Sequence, residues 1–144
     1  MIGVEEKLAK SLSSSVKGLN TPIVKELLMS ISHDSKKHAG LYSAIRSLVK
    51  GDSKAMVEEE FDQLEKVIKK HIIVESQMLQ EVRKLLEGEK DSRIKHLLIE
   101  ISKDEIRHHS LLQHLLESVV KRETIFKADV WQILWGDVPG HGTP

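Results

Sequence analysis

LLMSISHDSKKHAGL, Leu27 to Leu41, and LLIEISKDEIRHHSL, Leu97 to Leu111, stand 70 residues apart and carry one pattern. Apolar residues recur at spacings of three and four, the period of one helix face. Both segments break that face midway with ionisable groups. Asp34 matches Asp104 and His38 matches His108, while Ser35 stands where the second copy has Glu105. Sliding the chain by the same 70 residues pairs residues 1–50 with 71–120 without a gap, and about 13 of the 50 pairs are identical. Val4 meets Val74, Glu5 meets Glu75, and Gly18 meets Gly88. Self-similarity at a fixed period is the mark of a repeated structural unit. Here the unit reads as a helical hairpin, present twice.

Stop and start signals outline the helices. The first runs from about Val4 to Lys17, with Gly18 as its stop. Asn20 or Thr21 caps the second, and Pro22 sits in its first turn, where a missing N–H costs nothing. Gly51 ends it near Lys50, and Asp52 or Ser53 is the expected cap of the third, which reaches about Glu87. Asp91 or Ser92 caps the fourth, which ends near Arg122. A short helix is predicted over Lys127 to Trp135, with Trp131 and Trp135 on one face, followed by a tail. The second to fourth helices are each roughly 45 Å long at helical rise, and short loops make sequential helices antiparallel. The fold expected is all-α: an antiparallel four-helix bundle over residues 1–122, with a short C-terminal helix and tail over 123–144.

The expected core stripes are Val24, Leu27, Ile31 and Ile45 in the second helix, and Ile94, Leu97, Ile101 and Leu115 in the fourth. In the third they are Phe61, Leu64, Ile68, Met78, Val82 and Leu85, with His71 and Glu75 among them.

Composition agrees with a helical protein and narrows the chemistry. Of 144 residues, 22 are basic and 22 acidic, so no net charge draws the chain to nucleic acid or to an anionic membrane. There is no cysteine, which excludes disulfides, thiolate zinc sites, iron–sulfur clusters and cysteine catalysis. No apolar run approaches the ~18 residues of a membrane span, and MIGVEEKLAK lacks the layout of a signal peptide. Cytoplasm is the expected compartment.

The ionisable groups on the apolar stripes are the candidate site. Glu105 and His108 are three residues apart on one helix and so share a face. A carboxylate buried alone is costly, and a divalent cation held by several such groups removes that cost. A Glu-x-x-His pair facing carboxylates on neighbouring helices suits iron or manganese. Read singly, Glu5 fits an exposed acid in a first helical turn, and each histidine fits a packed core residue; the matched places in the repeat favour ligands. His33, His96, His109 and His114 read as surface residues, and His141 as part of the tail.

Glu5, His38, Glu75 and DEIRH (Asp104 to His108) resemble the ferritin-like superfamily of rubrerythrins and bacterioferritins. The resemblance covers about residues 1–122. It implies Glu5 and Glu75 as terminal carboxylate ligands, His38 and His108 as terminal imidazoles, and Glu105 as a bridging carboxylate. Asp34 and Asp104 would orient ligand imidazoles. Ser35 departs from the pattern, since a second bridging Glu is expected there. Asp34 or His71 is then a candidate to complete the shell. The cofactor implied is iron, one ion or two, with manganese or zinc as alternatives, and the activity implied is reduction of peroxide or O2, or oxidation of ferrous iron. The chain lacks the cysteine-bearing module of full rubrerythrins, so a separate electron-donor protein is expected, and a homodimer is the expected assembly. Two other readings stand beside this one. A hemerythrin-like dioxygen-binding bundle would use His71-x-x-x-Glu75, and a non-metal helical interaction module would explain the loss at Ser35.

Overall fold

The computed structural model describes residues 1–51 and 54–122, together with 132, 135, 136 and 138. Among these there are four α-helices and no strand. They are α1 (Ile2–Ser15), α2 (Pro22–Lys50), α3 (Glu58–Gly88) and α4 (Ser92–Val120), with a 3-10 turn at Val16–Gly18. This is the all-α element content of a four-helix bundle. The chain forms two compact units, Met1–Lys54 and Ala55–Pro144. Each is a helical hairpin, α1 with α2 and α3 with α4. The short helix expected over Lys127 to Trp135 falls almost wholly outside the described residues, as do Trp131 and His141.

The boundaries follow local chemistry. Thr21 takes the extended N-cap conformation ahead of Pro22. Gly51 closes α2 at φ 69°, in the left-handed region that glycine adopts without strain. Asp91 caps α4 by accepting a bond from the Arg93 N–H at 2.8 Å. The start of α3 differs from expectation. Lys54 to Val57 are not helical and Val57 is the N-cap, while the expected caps Asp52 and Ser53 lie outside the described residues. The helix begins at Glu58, where the Glu60 side chain reaches back to accept from the Val57 N–H at 2.9 Å. Glu58, Glu59 and Glu60 all sit in that first turn, where the helix dipole favours negative charge.

In the first hairpin, small side chains fill the seam. Ala9 of α1 and Ser32, Ser35 and Ala39 of α2 are buried. The Ser32 hydroxyl donates to the Ala9 carbonyl at 2.8 Å across the helices. His38 faces Glu5, so the residue number rises on one helix as it falls on the other, and the pair is antiparallel. The helix α1 has 14 residues against 29 in α2, so the C-terminal part of α2 extends beyond its partner.

In the second hairpin the core is aliphatic. Phe61, Ile68 and Val119 are buried, with Leu64, Ile72, Leu112, Leu115 and Leu116 packed around them. At the open end Arg122, itself at φ 54°, holds the start of α3. Its guanidinium bonds Glu58 at 2.9 Å and Asp62 at 2.5 Å, and lies 5.3 Å from the centre of the Phe61 ring.

The packed stripe of each hairpin is narrower than the apolar pattern predicts. On α3 the buried positions are Phe61, Ile68, Leu79 and Val82, while the expected Met78 and Leu85 are exposed. Val24, Leu27, Ile31 and Ile45 of α2 are also exposed, as are Ile94, Leu97 and Ile101 of α4. Each of these helices carries two adjacent apolar stripes, and only one of them faces its hairpin partner. No helix among the described residues is long and apolar enough to cross a membrane.

Candidate metal centre

The second hairpin brings Glu75 of α3 together with Glu105 and His108 of α4. One donor atom from each lies within 4.8 Å of the others. Helix phase explains the grouping. Positions 105 and 108 are three apart and project from one side of α4. Antiparallel pairing sets the middle of α3 opposite them. Glu105 is buried, Glu75 half-buried and His108 exposed, so the group runs from the hairpin interior to its surface.

The electrostatics of this group are unsatisfied. Glu75 Oε2 and Glu105 Oε2 are buried and have no hydrogen-bond partner among the described residues. The Glu75 carboxyl beside it, through a shared proton, and then burial push the Glu105 carboxyl up to about 7. The charges of Glu75 and Asp104 act in the same direction, and His108 opposes them. An orphaned buried acceptor costs about 1–3 kcal/mol, more if charged. A divalent cation answers both difficulties, because it takes the lone pairs and cancels the like-charge repulsion. Two carboxylates and an imidazole are hard and borderline donors, fitted to iron, manganese or zinc. The residues present therefore fit a metal ion.

The first hairpin carries a smaller version. Glu5 Oε1 lies 3.7 Å from His38 Nδ1, with the Glu5 side chain largely covered and that of His38 half exposed. Ser35 is buried on the same helix. Glu5 and His38 thus meet within one hairpin, and Glu75, Glu105 and His108 within the other.

The remaining candidates lie elsewhere. Asp104 is exposed and ion-paired at 3.1 Å with Arg107, three residues along its own helix. Asp34 is exposed and pairs with Lys37 at 2.5 Å. Each aspartate pairs with a cation three residues along its own helix. His71 is exposed, with Nδ1 2.9 Å from the Val67 carbonyl one turn back. A proton on Nδ1 would then leave its lone pair on Nε2.

Two histidines are misplaced by the sequence reading. His109 is half-buried, not on the surface, and its Nδ1 is buried without a partner among the described residues. The available signal was its spacing. It lies one turn beyond Glu105 and continues into Leu112, Leu116 and Val119, the stripe packed against α3. His114 is also half-buried, while His33 and His96 are exposed as expected.

No curated protein and no solved structure matches the chain. A family model does. The rubrerythrin model matches residues 5–116, which span all five expected ligands and both hairpins. With that match over most of its length, the chain belongs to the rubrerythrin family, within the ferritin-like superfamily.

Proposed function

We propose that this protein is an iron-binding rubrerythrin-family protein that reacts with peroxide or O2, or oxidises ferrous iron. The observation that carries the proposal is the pair of orphaned buried oxygens on Glu75 and Glu105, with a His108 nitrogen in the same 4.8 Å group. Family membership supports iron as the metal.

The chain's own residues would do the following. Glu75 and Glu105 supply two carboxylates from facing helices, and His108 supplies an imidazole nitrogen. Glu105 gives up its proton as the cation enters, so binding strengthens as pH rises through its titration. The exposed side of the group, at His108, leaves a route for a small polar oxidant. Glu5 and His38 of the first hairpin are proposed as further ligands, in keeping with their places in the repeat and in the family pattern. When bound, iron supplies one-electron exchange between its ferrous and ferric states.

Elemental analysis tests the reading. The protein is purified without chelator or metal-affinity chromatography, beside Glu105→Ala. Near two iron per chain, lost in the variant, supports a di-iron centre; near one supports a single ion, with Ser35 as the reduced position. No metal in either protein, even after anaerobic ferrous loading, overturns the proposal and favours a helical interaction module. Membership of the rubrerythrin family favours a ferritin-like centre over the hemerythrin-like reading.

A further inference from the structure

Glu105 and His109 are one turn apart on α4, on the side that carries Leu112, Leu116 and Val119 toward α3. Four side-chain polar atoms among the described residues are buried without a partner: Glu75 Oε2, Glu105 Oε2, His109 Nδ1 and Ser118 Oγ. Three of the four belong to residue types that bind metals. All three lie on the middle turns of one hairpin. A buried ring nitrogen left unbonded is costly, and packing alone gives no reason to place an imidazole where an aliphatic side chain would fill the seam.

The first hairpin supplies an independent comparison. At the 70-residue offset, Glu105 corresponds to Ser35 and His109 to Ala39, and both of those small residues are buried. One copy has acid and imidazole together, and the other has neither. The His38 and His108 positions do not follow this rule, since both copies keep them. The imidazole at 109 therefore goes with the acid at 105.

We propose that His109 is a further protein ligand of the metal centre in the second hairpin, joining Glu105 from inside the hairpin while His108 joins from its surface. This rests on the metal-binding reading above. As it stands, His109 lies outside the set of donors within 4.8 Å, so its side chain turns on its own bonds as metal enters. With His109 the hairpin offers two carboxylates and two imidazoles, a donor set that Co(II) also accepts.

Co(II) titration of the full chain tests this, read by calorimetry and by visible d–d absorption. The proteins are the parent, His109→Ala, His109→Gln and Glu105→Ala. Ala39 at the matching place in the first hairpin indicates that alanine suits such a position, and glutamine keeps bulk and polarity; far-UV circular dichroism checks helicity. The expected result is Co(II) binding weakened roughly tenfold or more in both His109 variants, with d–d bands altered by loss of a nitrogen donor. Parent-like affinity and an unchanged spectrum in either folded His109 variant would overturn the proposal while leaving the metal centre intact. Unchanged binding in Glu105→Ala, or no binding by the parent, would overturn the metal-binding reading and this inference with it.

Discussion

The two hairpins share a pattern but fill their seams differently. The first buries Ala9, Ser32, Ser35 and Ala39, and satisfies its Ser32 hydroxyl by donating to a main-chain carbonyl. At the matching positions the second has Leu79, Ser102, Glu105 and His109. It leaves carboxylate oxygens and a ring nitrogen buried and unbonded. A seam of small, satisfied groups contributes stability and no chemistry. A seam with orphaned donors sacrifices stability and has a binding capacity in return. The contrast places the orphaned oxygens of the proposed metal centre in the second hairpin, while the first holds the Glu5–His38 pair within its own seam.

The sharpest way to break the comparison is to remove Glu105. Glu105→Ala is expected to lower Co(II) or Fe(II) affinity at least a hundredfold, while His38→Ala lowers it about tenfold; calorimetry on both variants measures the difference. Equal losses would mean that the two hairpins contribute equally.

Acidity gives the next largest effect. Below about pH 4.5 Glu105 is protonated in both the folded and unfolded chain. Between about 4.5 and 7 the folded chain keeps a proton that the unfolded chain has released. Metal-free protein should therefore lose stability as pH rises through this window, by up to roughly 3 kcal/mol from this group. Above about 7 the slope from Glu105 disappears. Urea unfolding in chelator at several pH values measures the change, and Glu105→Gln should abolish most of it.

Transplanting the acid sharpens the comparison further. Ser35→Glu should destabilise the metal-free chain by about 1–3 kcal/mol, because it places a carboxyl in a seam packed for a small residue. Added metal should recover part of that loss, measured as a rise in Tm. The smallest effect belongs to the cross-helix bond of the first hairpin. Ser32→Ala should cost about 1 kcal/mol by removing the cross-helix bond to the Ala9 carbonyl, with metal affinity unchanged.

Much of this was legible in the sequence, and the failures have physical causes. Pro22 and Gly51 bracket α2 because each has a backbone constraint that only one kind of position accommodates. The start of α3 was not legible, since its first N–H is satisfied by the side chain of Glu60 three residues later. Met78 and Leu85 were expected in the core because α3 has two apolar stripes side by side, and spacing does not say which one faces α4. Glu75, Glu105 and His108 could be read from spacing and repeat together. His109 was missed because it lies off the stripe drawn through Glu105 and His108; its phase with Leu112 and its replacement by Ala39 in the first copy were the clues.

The Arg122 clamp gives the second hairpin an open end and a middle with different sensitivities to the surrounding solution. At the open end, helix is held to helix by a partly exposed guanidinium and the carboxylates of Glu58 and Asp62. Mobile ions screen such attractions over about 10 Å at 0.1 M salt and over about 3 Å at 1 M. At the middle turns, Glu75 and Glu105 carry oxygens buried beyond the reach of hydrated salt ions. Raising ionic strength thus loosens the hairpin where it only needs to be closed, and leaves the grip where a cation would be held.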